Sequence, residues 1–485
     1  MKTAQAFMRF LAAWVLAAGV PASGQTNGLA APRYIETTNG VAWTYSFSKG
    51  GATLEAASPA EGAVAVPPQL GGTNVVAIGT GAFKGCSSMT SVTLPETVTG
   101  IGDSAFEQCG GLVSVRIPEA VARIGDNAFR HCTMLPSVSF PTNLAAIGAE
   151  AFWGCGGVES VAIPESVERI GGGAFGGCGR LEEIRVAAGN RKYASLDGVL
   201  FSKDMSTLVC CPGGKRGAYA APASVTAVAG WAFYGCGGLA SVTLPDGVKS
   251  LGDWTFGYCS ALSSVYLGKS LESIGREVFS NCSGLKSLAI PGSVAGIGRH
   301  AFAECHGLTS LEIPDGVTSI GADAFSYCTG LKSVTIGSGV AEMGGDMFWL
   351  CGNLERIHVS VGNRNYTDVD GVLFSGDMKT LVCWPSGRSG AYAVPRGVER
   401  IGDGAFYNCR KLEGVVVPEG VSEIGREAFF SCRELESVVL PDSVERLGAN
   451  AFAGCKGLKK LRVPKALKGT AMLADARVPS GCEIE

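Results

Sequence analysis

The sequence predicts a repeat solenoid, an elongated stack of fourteen coils of 23 residues each. A phenylalanine recurs at a 23-residue step, a cysteine stands three residues after each phenylalanine, and branched apolar residues alternate within each coil. Such a unit cannot bury its apolar face alone and must stack on its neighbours. The phenylalanines are Phe83, Phe106, Phe129, Phe152, Phe175, Phe233, Phe256, Phe279, Phe302, Phe325, Phe348, Phe406, Phe429 and Phe452.

Each coil predicts one short strand and one compact turn. The order L-x-x-V-x-I, as in Leu112, Val115 and Ile117, gives the alternation of a strand, and the strands of successive coils would form a parallel sheet on the concave face. Pro118 then ends the strand because it has no N–H. On the opposite wall Ala128 and Cys132 are four residues apart, which favours one turn of α-helix or 3₁₀-helix.

Two related inserts interrupt the period, at residues 187–221 and 360–394. Both contain the pattern N-x-x-Y-x-x-x-D-G-V-L-F, at residues 190–201 and 363–374, and two apolar runs across a polar turn. This pattern predicts a β-hairpin added to the sheet in each insert.

The ends of the chain depart from the repeat. Residues 1–24 read as a secretory signal, with Lys2 and Arg9 before an apolar run and small residues at 22–24. Residues 25–77 predict an N-terminal β cap, residues 78–467 the solenoid, and residues 468–485 a C-terminal cap. We expect an exported chain without a membrane span once the signal is removed.

Fourteen of the eighteen cysteines occupy one equivalent position per coil. Parallel side chains on coils ~4.8 Å apart do not reach the ~3.8 Å between Cβ atoms that a disulfide prefers. We therefore expect small, buried, unpaired thiols. Pairing stays open for Cys210, Cys211, Cys383 and Cys482, which lie outside this series.

The motif I-G-x-x-A-F-x-x-C-x-x-L-x-x-V-x-I-P-x-x-V, seen for example in residues 101–121, resembles the BspA-type branch of the leucine-rich repeats. The two inserts also resemble an island that recurs in that family. The resemblance implies a leucine-rich repeat solenoid and an exported surface protein that takes part in adhesion to host proteins or neighbouring cells.

Several function classes are disfavoured by composition. A net charge of −3 without basic runs argues against nucleic acid as a partner. The four histidines form no catalytic or zinc motif, and residues 368–371 fit a turn better than a calcium loop. We therefore predict no enzyme, no cofactor and no metal site.

Aromatic residues give the sharpest candidate for a binding site. Trp231 and Trp254 hold the same position in successive coils, with Tyr234 and Tyr258 beside them, and we expect the two tryptophans to stand together on the outer wall. Tyr266 belongs instead to a variable row of exposed strand positions. Packing against the first insert is the competing explanation for these aromatic residues.

Together these features predict a secreted or cell-surface protein that binds an extracellular protein or glycan through its solenoid surface. The alternative is a structural or self-associating component of the cell envelope with no dedicated ligand. The ligand, the oligomeric state and the binding face stay open.

Overall fold

The fold is a solenoid of stacked coils, as the repeat predicts, seen here in a computed structural model that describes residues 32–48 and 50–485. The predicted signal at residues 1–24 lies outside the described residues. Each coil has three walls: a strand holding the V-x-I residues, a two-residue strand ending at the isoleucine of I-G, and a turn holding A-F. We refer to these as the V-x-I ladder, the I-G ladder and the A-F wall.

The V-x-I ladder consists of strands that pair in parallel between successive coils, so that Val161 lies beside Ile184 and Val334 beside Ile357. Residues of the alternate set point out of the core, as in Ser160–Ile163, where Ser160 and Ala162 are exposed. The strands are Gly62–Ala65, Met89–Thr93, Ser114–Arg116, Ser160–Ile163, Glu183–Val186, Arg216–Ala220, Gly238–Thr243, Ser264–Tyr266, Ser310–Ile313, Ser333–Ile336, Arg356–Val359, Gly390–Ala393, Leu412–Val416, Ser437–Val439, Lys460–Arg462 and Glu483–Ile484.

The I-G ladder is a second parallel ladder, built from strands of only two residues. Ile124 pairs with Ile101 on one side and Ile147 on the other, and each isoleucine is buried. Its strands are Gly100–Ile101, Arg123–Ile124, Ala146–Ile147, Arg169–Ile170, Ala227–Val228, Ser250–Leu251, Ser273–Ile274, Gly296–Ile297, Ser319–Ile320, Glu342–Met343, Arg400–Ile401, Glu423–Ile424 and Arg446–Leu447.

The A-F wall corrects the expectation of helical or 3₁₀ turns. In all fourteen coils the residues two before and two after the phenylalanine have positive φ, between +53° and +77°, which stops any helical run. The backbone N–H groups of this wall alternate between two kinds of acceptor. The N–H of Phe106 donates to the carbonyl of Ala128 in the next coil at 2.7 Å, whereas the N–H of Ala105 donates to the carbonyl of Gly102 in its own coil at 3.3 Å.

The core is a column of stacked side chains. Neighbouring phenylalanine rings lie almost parallel, with centroids 5.1 Å apart for Phe83 and Phe106 and 5.3 Å apart for Phe429 and Phe452. In eleven coils the thiol donates to the carbonyl of the phenylalanine in the coil before it, as the thiol of Cys132 does to Phe106 at 3.2 Å. This bond gives a buried carbonyl a second donor, which explains a thiol at this position rather than an alanine methyl.

Both ends of the stack are covered by strands or turns that replace a missing coil. At the start, Tyr34–Thr38, Val41–Ser48 and Gly51–Ser58 form an antiparallel unit, and Thr73–Ile78, hairpinned with Gln69–Leu70, carries it into the I-G ladder. At the other end the 3₁₀ turn Lys465–Leu467 and the helix Ala471–Asp475 close the chain. There the N–H of Phe452 donates to Ala476 at 2.9 Å, the bond that a further coil would supply.

Each insert contributes three antiparallel strands. In the first, Tyr193–Leu196 pairs with Val199–Ser202, which pairs with Thr207–Cys210, and the last joins the I-G ladder beside Ala227–Val228. In the second the strands are Tyr366–Val369, Val372–Ser375 and Thr380–Cys383. The buried side chains form three cores that meet at the inserts, since Leu200 packs with the preceding coils whereas Phe201 packs with those that follow.

Candidate functional site

The surface beside the first insert is shaped by a coil that has glycine at every position of its A-F wall around Ala174 and Phe175. This coil reads G-G-G-A-F-G-G at residues 171–177. A Cβ atom on Gly176 would come within 2.5 Å of the ring of Trp153, and one on Gly172 within 3.1 Å of the ring of Trp231. The missing side chains therefore make room for aromatic rings from the coils before and after.

Four aromatic residues meet over this glycine coil, and we call Trp153, Tyr234, Trp254 and Tyr258 the aromatic cluster. Tyr234 is at its centre, with its ring centroid 4.2 Å from that of Trp153, 5.9 Å from that of Trp254 and 5.3 Å from that of Tyr258. Tyr258 is 47% exposed, Trp254 and Tyr234 are half-buried, and Trp153 is buried. The cluster therefore has a buried side at Trp153 and an exposed side at Tyr258.

Two of the predicted site residues lie apart from this cluster. Trp231 turns towards Gly172 in the preceding glycine coil, whereas Trp254 lies against Tyr234 and Tyr258, so the two tryptophans face different neighbours. Tyr266 belongs to the V-x-I ladder, where its hydroxyl donates to Asp246 at 2.6 Å. Of the five predicted residues, the structure brings together Tyr234, Trp254 and Tyr258.

Trp153 was not predicted because it follows A-F, whereas the predicted tryptophans precede it. Some coils hold Lys84, Glu107 or Gly176 at this position. Five coils hold an aromatic residue there, and two of these, Trp153 and Tyr234, are on either side of the glycine coil. An aromatic residue after each of two phenylalanines, flanking a run of glycines, was the signal available in the sequence.

A cation closes one side of the aromatic cluster. The guanidinium of Arg130 lies over the Trp153 ring, 5.7 Å from its centroid, and is also paired with Glu150. Burial, followed by the neighbouring Tyr258, raises the pKa of Tyr234 to about 12, so this hydroxyl stays protonated and available as a donor at neutral pH.

One asparagine fixes each insert to the coil before it. The buried amide of Asn190 donates to the carbonyls of Pro164 at 2.8 Å and Val167 at 2.9 Å, and its oxygen accepts the N–H of Tyr193 at 2.8 Å. Asn363 makes the equivalent bonds, to Gly337 at 2.9 Å and Val340 at 3.1 Å. These bonds explain why N-x-x-Y opens both inserts.

The cysteines take no part in a reactive or metal-binding site in the described residues. All eighteen are free thiols. Burial raises the pKa of the thiols of Cys109 and Cys282 to about 12, which keeps them protonated and unreactive. Across residues 32–48 and 50–485 no group of histidine, cysteine and carboxylate side chains could hold a metal ion.

In the same described ranges, no helix combines the length and the apolar character needed to cross a bilayer.

Comparison with known families gives a match along most of the solenoid. A model described as the BspA type leucine rich repeat region, in six copies, matches residues 72–187, 218–316, 295–379 and 391–474. These stretches include well over half of the chain and both sides of each insert. A comparison with curated proteins found no match.

Solved structures of similar proteins come from several bacteria. A leucine rich cell surface protein from Faecalibacterium prausnitzii A2-165 is 27% identical over 62% of this chain and 94% of its own, with a TM-score of 0.49. A leucine-rich repeat protein from Bacteroides ovatus ATCC 8483 is 26% identical over 91% and 97%, with a TM-score of 0.42. The pneumococcal vaccine antigen PcpA is 20% identical over 76% and 93%, with a TM-score of 0.47.

Proposed function

Because the chain belongs to the BspA-type leucine-rich repeat family, we propose that it is an exported, non-enzymatic binding protein that adheres to an extracellular protein or glycan. The aromatic cluster beside the first insert is the contact site in this proposal. Export follows from the secretory signal predicted at residues 1–24. The partner stays within the two classes that aromatic anchors suit, proteins and sugars.

The supporting observation is that aromatic side chains stand where the backbone favours small or polar ones. Trp254 has φ +58° and Tyr258 has φ +60°, a left-handed conformation that costs a bulky residue roughly 1 kcal/mol relative to glycine or asparagine. Other coils place Asn127 and Asn281 at the same two positions. The fold therefore does not require aromatic residues here, and their side chains offer contact area instead.

The cluster also has the anatomy of a protein or sugar contact. Trp153 is held from below by the glycine coil and from one side by Arg130, so the ring under Tyr234 is fixed before a ligand arrives. A preformed aromatic surface loses little side-chain entropy on binding. The exposed ring of Tyr258 and the hydroxyl of Tyr234 supply the outer contacts.

The test is a binding screen of the full chain against immobilised extracellular proteins and glycans, followed by comparison with the double variant Trp254→Asn, Tyr258→Asn. Each asparagine is the residue that another coil uses at that backbone position, so the fold is retained. We expect at least a tenfold loss of affinity, since interface aromatic residues contribute about 2 kcal/mol or more. The control is Glu304→Asn, which changes the position equivalent to Tyr258 two coils later, where φ is +60°.

Unchanged binding by the double variant would show that the aromatic cluster is not the contact site. Circular dichroism and thermal unfolding of each variant would show that the fold is intact.

A second function, self-association in the cell envelope, is favoured by one apolar spot on the V-x-I ladder. Val416 is 63% exposed and Val439 is 49% exposed, and the two are paired neighbours on adjacent strands. Exposed neighbouring valines on a sheet suit contact with another protein surface. Light scattering over a range of concentrations tests this function: a constant monomer mass contradicts it, and oligomers that Val416→Thr dissociates support it.

A further inference from the structure

A cavity of about 230 Å³ opens beside the second insert, between the coils on either side of it. Its walls combine aromatic rings with carboxylates. Trp349 and Tyr407 meet edge to face, with centroids 5.9 Å apart. The lining residues include Asp346, Trp349, Trp384, Asp403 and Tyr407.

The first insert has an equivalent cavity of about 250 Å³, so the two differ in chemistry and not in size. Residues in the two copies are related by a step of 173 positions. Gly173 and Gly230 of the first cavity are replaced by Asp346 and Asp403 in the second, and Trp231 is replaced by Gly404. The second cavity has thus gained two carboxylates and lost the equivalent of Trp231, although Trp349 and Trp384 also line it.

The loss of that tryptophan leaves open space. Trp231 covers Gly172 in the first cavity, whereas the equivalent Gly345 has no atom within 4 Å of its Cβ position. A Cβ on Gly404 would stand 3.3 Å from a carboxylate oxygen of Asp346. The carboxylate of Asp346 therefore borders the space that Trp231 takes up in the first copy.

Asp346 stands in a negative environment. Burial, then the charges of Asp323 and Glu427 and more weakly of Asp403, raise its pKa against the opposing effect of Arg426. Arg426 is itself paired with Glu427 at 3.0 Å. Asp403 accepts the guanidinium of Arg400 at 3.1 Å and the N–H of Arg426 at 3.0 Å. The charge of Asp346 is the one that an incoming cation would neutralise.

Trp384 adds a third aromatic side chain to the wall of the cavity and is 2% exposed. Its indole nitrogen is buried and has no hydrogen-bond partner within residues 32–48 and 50–485, so other atoms of this residue line the cavity.

We propose that the cavity beside the second insert binds an alkylammonium group, the chemistry of a lysine side chain. The aromatic rings of Trp349 and Tyr407 suit the apolar stem and the cation, and Asp346 neutralises the charge. The volume suits one side chain and not a drug-sized ligand. The proposal is independent of the adhesion site at the first insert.

The test is a calorimetric titration of the full chain with Nα-acetyl-lysine methylamide and with its neutral analogue Nα-acetyl-norleucine methylamide. We expect the lysine compound to bind at least tenfold more tightly, about 1.4 kcal/mol or more, because its charge is attracted by the aromatic faces and the carboxylate. Equal affinity for the two compounds, or binding of neither, would overturn the proposal.

Two variants locate the site. Asp346→Asn keeps a residue suited to φ +55° and removes the charge, and Gly404→Trp restores the residue that stands at Trp231 with φ +58°. Each variant should lower the affinity for the lysine compound at least tenfold. Glu277→Asn removes a carboxylate from the same coil position three coils before Asp346 and should leave binding unchanged. Retained affinity in both cavity variants would contradict the assignment.

A final titration distinguishes a lysine side chain of a protein from a free amine as the source of the ammonium group. A flexible peptide with one internal lysine should bind as well as the small compound if the occupant is a lysine side chain of a protein. Binding of the small compound alone would assign the cavity to free amines.

Discussion

The two inserts share a backbone and differ in what they present. Both open with an asparagine bound to two carbonyls of the preceding coil, and both turn on Asp-Gly with positive φ, at Asp197 and Gly198 and at Asp370 and Gly371. Beside the first lies an apolar aromatic cluster, and beside the second lies a cavity with two carboxylates. The comparison shows that the residues that build the scaffold are separate from those that give each surface its chemistry.

The separation follows from where each residue stands. The asparagines that hold each insert in place lie within the insert itself. Residues that differ between the two cavities lie on the A-F walls of the flanking coils, namely Trp231, Gly404, Gly173 and Asp346. On that wall the left-handed positions need only tolerate positive φ, so that their side chains are free to vary. Side chains can change there at a cost of only about 1 kcal/mol each.

The largest expected effect concerns the shared core of the inserts. Phe201 and Phe374 are both fully buried in equivalent strands. Replacing either with alanine should lower the free energy of unfolding by about 3–5 kcal/mol. Urea unfolding followed by circular dichroism measures it. If the losses in free energy of unfolding differed by more than about twofold between the two variants, the two inserts would not be equivalent scaffolds.

A smaller effect is expected from the asparagine at the start of each insert. Asn190→Ala and Asn363→Ala leave two carbonyls of the preceding coil without their amide donor, and each should cost about 1–3 kcal/mol. Asn190→Asp retains the acceptor and removes the donors, so it separates the two halves of the contact. A loss confined to one insert would show that the two are anchored differently.

The hydroxyl of Tyr193 gives a further test of how an insert is held, and Tyr366 of the second insert makes the equivalent contact with the backbone of Met343. The Tyr193 hydroxyl accepts the N–H of Ile170 at 2.9 Å, at the point where the I-G ladder is interrupted. Tyr193→Phe should cost about 1 kcal/mol. Amide hydrogen exchange at Ile170 should also accelerate. Unchanged exchange would show that the Tyr193 hydroxyl does not protect this N–H.

The smallest effect is a pH-dependent one at the second insert. Because the pKa of Asp346 is raised in the folded protein, its ionised form opposes folding at neutral pH and this penalty disappears as the pH falls through that pKa. Asp346→Asn should therefore unfold at a slightly higher temperature than the parent at pH 7. The difference should shrink at about pH 4, and the opposite trend would show that Asp346 is stabilised by a cation.

Much of the fold was predictable because the repeat makes one coil evident fourteen times. Phe325 and Cys328 could be assigned to the core from their spacing, and the structure buries both. The A-F wall was predicted wrongly as helical, since a four-residue spacing does not reveal the positive φ of residues such as Asp323 and Tyr327. Glycine at these positions in other coils, as at Gly81 and Gly85, was the sequence signal for that conformation.

The site was only partly predictable. Tyr234, Trp254 and Tyr258 could be grouped because one coil step places them together, but Trp153 is 81 residues before Tyr234 in the chain. It becomes a neighbour because the first insert joins the two ladders while the A-F walls of the coils of Phe175 and Phe233 still meet, with the N–H of Gly177 donating to Tyr234 at 3.3 Å. The second cavity depends on the same arrangement, which one sequence cannot reveal.

The most direct measurement is a crossed binding experiment on the full chain. The double variant Trp254→Asn, Tyr258→Asn and the variant Asp346→Asn are each titrated with the extracellular ligand found in the screen and with Nα-acetyl-lysine methylamide. We predict that the first variant loses only the extracellular ligand and the second only the lysine compound. Loss of both ligands in either variant, or of neither in both, would contradict two independent sites on one shared scaffold.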